Sequence, residues 1–114
     1  SIADQLSIDR VGVFLDASIE SIRETISIAN LNVVQLHGKE SPEFCQQIKA
    51  LNVKLIKALR IRSQSDLEQS IDYQSCVDVL LLDAYHPTHA GGTGVSIDWT
   101  MLKEFRPTCE WWLA

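Results

Sequence analysis

The stretch Val77-Asp78-Val79-Leu80-Leu81-Leu82-Asp83 is an apolar run that ends in a carboxylate. A continuous run of valine and leucine is typical of a strand that is buried on both faces, as in a parallel sheet. Asp83 would then lie at the carboxyl end of the strand, the edge at which parallel α/β sheets and barrels hold their ligands. Its position alone supports two interpretations: Asp83 holds or donates a proton there, or it caps the following loop by bonding its own backbone.

Four more apolar stretches resemble this one, and helical patterns separate them. The predicted strands begin near residues 11, 33, 54, 78 and 110, and the third is predicted to end at Leu59. The first steps, of about 20 residues, leave room only for a strand, a helix and two tight turns. This alternation predicts an α/β fold with a parallel sheet and right-handed crossovers. It fits an open doubly wound sheet or an arc of a (β/α)8 barrel, and the even spacing favours the barrel arc.

Capping residues and prolines mark several helix ends. Ser41 precedes Pro42, which predicts a helix start because proline is favoured at the first helical position. Ser65 and Glu68 have the spacing of a capping box. Pro107 predicts the end of the last helix.

The length of the chain is short for a closed barrel. A (β/α)8 barrel needs at least about 200 residues, and this chain has 114. The last predicted strand, residues 110–114, would form a bare sheet edge, which isolated proteins avoid. We therefore expect residues 1–114 to be a single partial domain, a section of a barrel in a longer chain.

Charge and composition exclude several classes of partner. A net charge of -5 argues against nucleic acid, which needs a basic surface, but a local nest of amides could still bind a small anion. No apolar run is long enough for a membrane span, and no signal-peptide pattern is seen.

The cysteines Cys45, Cys76 and Cys109 are odd in number and lack metal or redox spacing. They predict reduced, mostly buried thiols in a cytoplasmic protein.

Two further polar features follow predicted strands. His37 ends the second strand and can donate a hydrogen bond to a substrate hydroxyl or phosphate, or else bond a neighbouring loop. The segment Gly91-Gly92-Thr93-Gly94 lets backbone amides approach an anion or lets the loop close as a lid. It lacks the lysine of a P-loop, so nucleotide binding is not expected. A plain flexible loop is the alternative.

Other residues carry weaker signals. Asp83, His86 and His89 form a D-x-x-H-x-x-H series, but it lacks the fixed helical spacing of zinc-binding helices. We therefore expect no metal. Lys54 and Lys57 would point to opposite faces of the third strand. Lys57, close to the carboxyl end, could help to bind an anion or pair with an acid in the barrel interior.

One ordered set of segments carries a family resemblance: Val11-Gly12-Val13-Phe14, Gln35-Leu36-His37-Gly38, Ile56-Lys57-Ala58, Leu80-Leu81-Leu82-Asp83, Gly91-Gly92-Thr93-Gly94 with Asp98-Trp99, and Leu113-Ala114. Together they resemble the phosphoribosylanthranilate isomerase family. The match covers nearly the whole chain in the same order, from the end of the family's second helix to its seventh strand. Asp16 stands where many members of the family have asparagine.

The resemblance implies a partial (β/α)8 TIM barrel, about strands 3 to 7, of an enzyme of tryptophan biosynthesis. That enzyme converts N-(5-phosphoribosyl)anthranilate to 1-(2-carboxyphenylamino)-1-deoxyribulose 5-phosphate by an Amadori rearrangement, without cofactor or metal. Asp83 would be the general acid that protonates the ribose ring oxygen. We expect His37 and the residues Gly91, Gly92, Thr93 and Gly94 to bind the substrate.

Other functional groups of the family have no match here. Its general base is a cysteine on the first strand, and its arginine for the anthranilate carboxylate lies on the second βα loop. Its phosphate-binding glycines would follow Ala114. We therefore expect the chain alone to be inactive. The resemblance allows the full-length protein to be either a monomer or a homodimer. Two alternative interpretations are kept. One is a related barrel enzyme of the same pathway that acts on a ribose phosphate, and the other is a non-catalytic, five-stranded flavodoxin-like binding or signalling domain.

Overall fold

The computed structural model describes residues 9–84 and 99–114 and shows parallel strands that alternate with helices. In chain order the elements are β1 (Val11–Phe14), α1 (Ile19–Ala29), β2 (Val33–Leu36), α2 (Pro42–Lys49), β3 (Lys54–Ile61), α3 (Gln64–Ser70), a 3-10 turn (Ile71–Tyr73), β4 (Val79–Ala84), α4 (Trp99–Lys103) and β5 (Glu110–Leu113). The predicted α/β class is confirmed.

The strands lie in the sheet in the same order as in the sequence. Each strand pairs in parallel with the next, and β1 and β5 form the two edges among the described residues. A doubly wound sheet reverses its strand order at a switch point, and the flavodoxin-like order is 2-1-3-4-5. The sequential order is that of an arc of a (β/α)8 barrel, so the flavodoxin-like alternative is wrong.

The two faces of the sheet differ in what covers them. One face, here called the helix face, packs on the helices and carries the main core, which includes Leu36, Leu55 and Leu80, all fully buried. The opposite face, here called the inner face, carries a small cluster of Val33, Ile56 and Val79. The inner face is therefore the thinly covered side of the sheet.

One predicted boundary changes in a way that affects the site. Strand β3 reaches Ile61 rather than Leu59, because its pairing with β4 continues to the end of that strand. The extra pairs place Arg60 directly beside Asp83. Helix α4 ends at Lys103, ahead of Pro107, as the proline predicted.

The predicted capping box is wrong by two residues. The residue that caps α3 is Ser63, whose hydroxyl accepts a hydrogen bond from the Asp66 amide at 3.2 Å. Asp66 in turn accepts one from the Arg62 amide at 2.8 Å. The pair Ser63 and Asp66 thus takes the place of the predicted pair of Ser65 and Glu68, and it satisfies the amides of Asp66 and Arg62 at the start of the helix.

Helices α1 and α2 begin as the sequence indicates. The hydroxyls of Ser18 and Ser41 each accept a hydrogen bond from the amide three residues on, at 3.1 Å. Among the helices in the described ranges, none is both long and apolar enough to cross a membrane.

The buried leucines of β4 should dominate the stability of the sheet. Leu80 is fully buried between the helices and β3, whereas Leu113 on β5 is 40% exposed. We expect Leu80→Ala to lower the free energy of unfolding by about 2–5 kcal/mol, because it leaves a cavity in a packed core. Urea unfolding followed by circular dichroism measures this. Leu113→Ala is the matched control, and an equal loss in both variants would contradict the assignment of the core.

Candidate active site

The carboxyl ends of β2 and β4 bring two of the sequence-predicted residues, His37 and Asp83, to one edge of the sheet. Asp83 is the next-to-last residue of β4, is half-buried, and alternates with Val79 and Leu81 on the inner face. His37 follows β2 directly and is exposed, and its amide donates to the Phe14 carbonyl at 2.9 Å. Asp83 lies at the carboxyl edge, as its place at the end of the apolar run predicted, and its role as an acid stays a prediction.

A pocket of about 280 Å³ lies between the ends of β1, β2 and β3. It is lined by Leu15, Asp16, His37, Gly38, Lys39, Ala58, Leu59, Arg60 and Arg62. Three of these side chains are cationic and one is acidic, so the pocket is locally basic in an acidic chain. Apolar walls with cationic groups suit a small organic anion.

The carboxylate of Glu40 ties two of the loops at this edge together. Its Oε2 atom accepts a hydrogen bond from the Asp16 amide, and its Oε1 atom accepts one from the Gly38 amide, both at 2.8 Å. Asp16 follows β1 and Gly38 follows β2. One buried side chain therefore fixes the distance between the two loops that line the pocket.

Lys57 neutralises that carboxylate. Its Nζ atom lies 3.0 Å from Glu40 Oε1, and it donates to the Gly38 carbonyl at 2.7 Å. The Lys57 side chain is fully buried and alternates with Leu55 and Leu59 on the helix face. It thus pairs with an acid, as one of its two interpretations predicted, but on the helix face, so a position in the barrel interior is wrong.

Tyr73 completes this network. Its hydroxyl donates to the Glu40 carbonyl at 2.6 Å, and Lys57 Nζ lies 5.7 Å from the centre of its ring. Burial opposes ionisation of Glu40, but the hydrogen bonds from the Asp16 amide and from Lys57 outweigh it, so the pKa of Glu40 is lowered. Glu40 is therefore a carboxylate at neutral pH.

Asp16 and Gly38 make the closest contact between the two loops. Asp16 has a positive φ of 52°, and its Oδ1 atom accepts a hydrogen bond from the Lys39 amide at 2.7 Å. A Cβ atom added at Gly38 would lie 2.5 Å from that same oxygen. Glycine is required at position 38 because a larger residue would displace the Asp16 carboxylate.

The three cysteines lie away from the pocket. Cys45 is in α2, and Cys76 and Cys109 precede β4 and β5, at the amino ends of those strands. All three are free thiols, and Cys45 and Cys76 are buried, as predicted. Burial, with Cys76 close by, raises the pKa of the Cys45 thiol to about 12. None of the three lines the pocket.

Part of the predicted site falls outside the described residues. Gly91, Gly92, Thr93 and Gly94 lie there, as do His86 and His89. Within residues 9–84 and 99–114, no group of three or more His, Cys, Asp and Glu side chains is arranged to hold a metal ion.

Sequence reasoning missed the roles of two residues. No pattern in the sequence assigns a role to Glu40 or to Arg60. Lys57, inside an apolar strand, was the one available sign of a buried acid, because a buried charge needs a partner. Which acid pairs with Lys57 depends on the geometry of the loops. Nothing in the local sequence indicates that β3 continues through Arg60 and Ile61, which is the extension that places Arg60 beside Asp83.

Comparison with known proteins identifies the family. Residues 2–114 match the family described as N-(5'phosphoribosyl)anthranilate (PRA) isomerase. This chain belongs to that family. Over 112 residues it is 48% identical to the N-(5'-phosphoribosyl)anthranilate isomerase of Trichodesmium erythraeum, covering 96% of this chain and 49% of the relative.

Solved structures agree with this assignment. The phosphoribosyl anthranilate isomerase from Thermotoga maritima superimposes with a TM-score of 0.72 at 34% identity, covering 94% of this chain and 51% of that one. A phosphoribosyl anthranilate isomerase in complex with reduced 1-(o-carboxyphenylamino)-1-deoxyribulose 5-phosphate gives a TM-score of 0.56 at 25% identity, covering 94% and 60%. The chain thus spans about half the length of the PRA isomerase relatives it matches.

The Glu40–Lys57 pair yields a stability prediction. Glu40→Gln leaves a buried ammonium group without its counter-charge, so we expect the free energy of unfolding at pH 7 to fall by about 3–5 kcal/mol. Glu24→Gln, at an exposed position in α1, is the matched control and should change it by less than about 0.5 kcal/mol. Urea unfolding measures both.

The same pair has a defined pH dependence. Because the folded-state pKa of Glu40 lies below the usual 4.5, its contribution is complete above that pH and is lost as the pH falls through the folded value. The parent protein should therefore lose stability in acid more steeply than Glu40→Gln does. Equal slopes of stability against pH would show that Glu40 is not held as a buried carboxylate.

Proposed function

We propose that this chain forms the central section of a phosphoribosylanthranilate isomerase that carries out the Amadori rearrangement of N-(5-phosphoribosyl)anthranilate. Family membership supports this, and the observation that carries it is the position of Asp83. A half-buried carboxyl group lies on the inner face at the carboxyl edge of the sheet, one strand away from a basic pocket with apolar walls. That edge is where parallel α/β barrels perform their chemistry.

Asp83 acts as the general acid in this proposal. The nitrogen lone pair of the anthranilate group forms a C=N bond to C1 of the ribose, and the bond from C1 to the ring oxygen breaks. Asp83 delivers its proton to that oxygen, which becomes a hydroxyl group. A base then removes the C2 proton, and the resulting enol form of the amine rearranges to the ketone. A shielded carboxyl group is suited to the first of these proton transfers.

The remaining groups have supporting roles. His37 is exposed beside the pocket and can donate a hydrogen bond to a hydroxyl group of the sugar. Gly91, Gly92, Thr93 and Gly94 would cover the substrate as a loop after β4. No cysteine lines the pocket, and burial raises the pKa of the Cys45 thiol to about 12, which supports a base supplied by other strands of the barrel and an inactive isolated chain. The free thiols support a cytoplasmic location.

The test is a complete barrel in which residues 2–114 of this chain replace the matching half of the Trichodesmium erythraeum protein. We expect it to isomerise N-(5-phosphoribosyl)anthranilate, and we expect Asp83→Asn to lower kcat by roughly 10²- to 10⁴-fold, the usual contribution of a positioned acid. The Michaelis constant should change little, because the amide keeps the size of the carboxyl group. Turnover is followed by the loss of substrate fluorescence.

The control is Asp72→Asn, the same chemical change at an exposed position of the 3-10 turn, which should keep normal turnover. The isolated chain should show none. Circular dichroism and urea unfolding establish that the parent barrel and both variants are folded. A folded Asp83→Asn barrel with near-normal kcat would overturn the assignment of the acid, and a folded parent barrel without activity would overturn the proposed function.

A further inference from the structure

The imidazole ring of His37 lies at the proposed active edge without a partner for the ring itself. It is exposed and lines the pocket. Within residues 9–84 and 99–114, the ring makes no hydrogen bond and no ion pair. The direction in which it points is therefore set by the backbone that carries it, apart from rotation about its own side-chain bonds.

That backbone is held on both sides of the His37 Cα atom. The His37 amide donates to the Phe14 carbonyl at 2.9 Å, and the Gly38 amide donates to Glu40 Oε1 at 2.8 Å. The Gly38 carbonyl accepts a hydrogen bond from Lys57 Nζ at 2.7 Å. Because each peptide group is planar, these bonds fix the two planes that meet at His37, and with them the direction of its Cα–Cβ bond.

The support behind these bonds is charged and buried. Glu40 is 5% exposed, its carboxylate lies 3.0 Å from Lys57 Nζ, and its carbonyl accepts a hydrogen bond from the Tyr73 hydroxyl at 2.6 Å. Hydrogen bonds to an ionised carboxylate are about twice as strong as neutral ones, and shielding from water strengthens them further. Glu40 therefore acts as a fixed anchor for the exposed loop that begins at His37.

We propose that Glu40 is a positioning residue that sets where His37 donates its hydrogen bond, and that Lys57 keeps it charged and in place. Neither Glu40 nor Lys57 lines the pocket, so both act on the substrate only through other residues. The inference rests on the proposed function, in which His37 binds a hydroxyl group of the sugar. Such a bond is made only within narrow limits of distance and angle, and a shift of about 1 Å caused far from the chemistry can cost roughly 10²-fold.

The experiment is a double-mutant cycle in the complete barrel described above, with Glu40→Gln, His37→Ala and the two together. We expect Glu40→Gln alone to raise the Michaelis constant by roughly tenfold, about the contribution of one hydrogen bond. The value of kcat should change by less than about threefold, because the lost interaction is one of binding. In the His37→Ala barrel the same change should alter the Michaelis constant by less than about twofold, since no ring is left to position.

A second variant separates positioning from folding, because Glu40→Gln also removes the charge that Lys57 needs. Glu40→Asp keeps that charge, but its carboxylate is one carbon shorter and cannot reach the amides of both Asp16 and Gly38. It should stay folded and still raise the Michaelis constant, and this rise should also vanish in the His37→Ala barrel. The matched control is Glu43→Gln, the same chemical change at an exposed position three residues later, which should leave the Michaelis constant normal.

The mobility of the His37 ring provides a readout that does not depend on turnover. Carbon-13 relaxation of the labelled ring should show an ordered side chain in the parent barrel and in Glu43→Gln, and a more mobile one in Glu40→Asp. Urea unfolding establishes that each barrel is folded.

Three results would overturn the inference: a ring equally ordered in Glu40→Asp and in the parent, effects of Glu40→Gln and His37→Ala that simply multiply, or a Michaelis constant unchanged in His37→Ala. A failure of the proposed function gives a different result, since a folded parent barrel would then show no turnover. The relaxation measurement would still decide whether Glu40 positions His37.

Discussion

The ion pair between Glu40 and Lys57 is the interaction on which the carboxyl edge depends. Both side chains are almost fully withdrawn from water, and burying two charges is unfavourable unless their remaining donors and acceptors are satisfied. Here they are: the ammonium group donates to the carbonyls of Gly38 and Ala58 as well as to the carboxylate. In the described part of the chain, no buried side-chain polar atom lacks a hydrogen-bond partner.

This pair links the ends of three strands. Glu40 holds the amides that follow β1 and β2, and Lys57 belongs to β3. The pocket is formed by these same three strand ends, so its shape is set by a charge pair on the opposite side of the sheet. The two faces therefore differ in content: the helix face carries the buried charge pair that gives rigidity, and the inner face carries Asp83, the proposed acid.

Much of the fold was predictable from the sequence because its signals are local. Apolar runs and capping residues place the strands and the first two helices, and the spacing of the units indicates a barrel arc. The capping box of α3 was misplaced because the sequence offers two serine–acid pairs two residues apart, and only the packing of the helix chooses between them. The end of β3 was misplaced because strand length is decided by the partner strand, here β4.

The site was predictable only in part. Asp83 could be placed because it ends a strand that is easily identified. The partner of Lys57 could not, since Glu40 lies in a loop 17 residues away and nothing in its local sequence distinguishes it from an exposed acid. The position of Arg60, beside Asp83 and on the wall of the pocket, depends on the register of β3 with β4, which is a property of the assembled sheet.

The most direct measurement is an NMR study of the backbone amides of Asp16 and Gly38 as a function of pH. If one buried carboxylate holds both loops, the two amide protons exchange slowly with solvent, and their chemical shifts follow a single titration with a midpoint below 4.5, the usual pKa of glutamate. Both effects disappear in Glu40→Gln. Rapid exchange at both amides, or separate titrations, would contradict the view that Glu40 fixes the carboxyl edge.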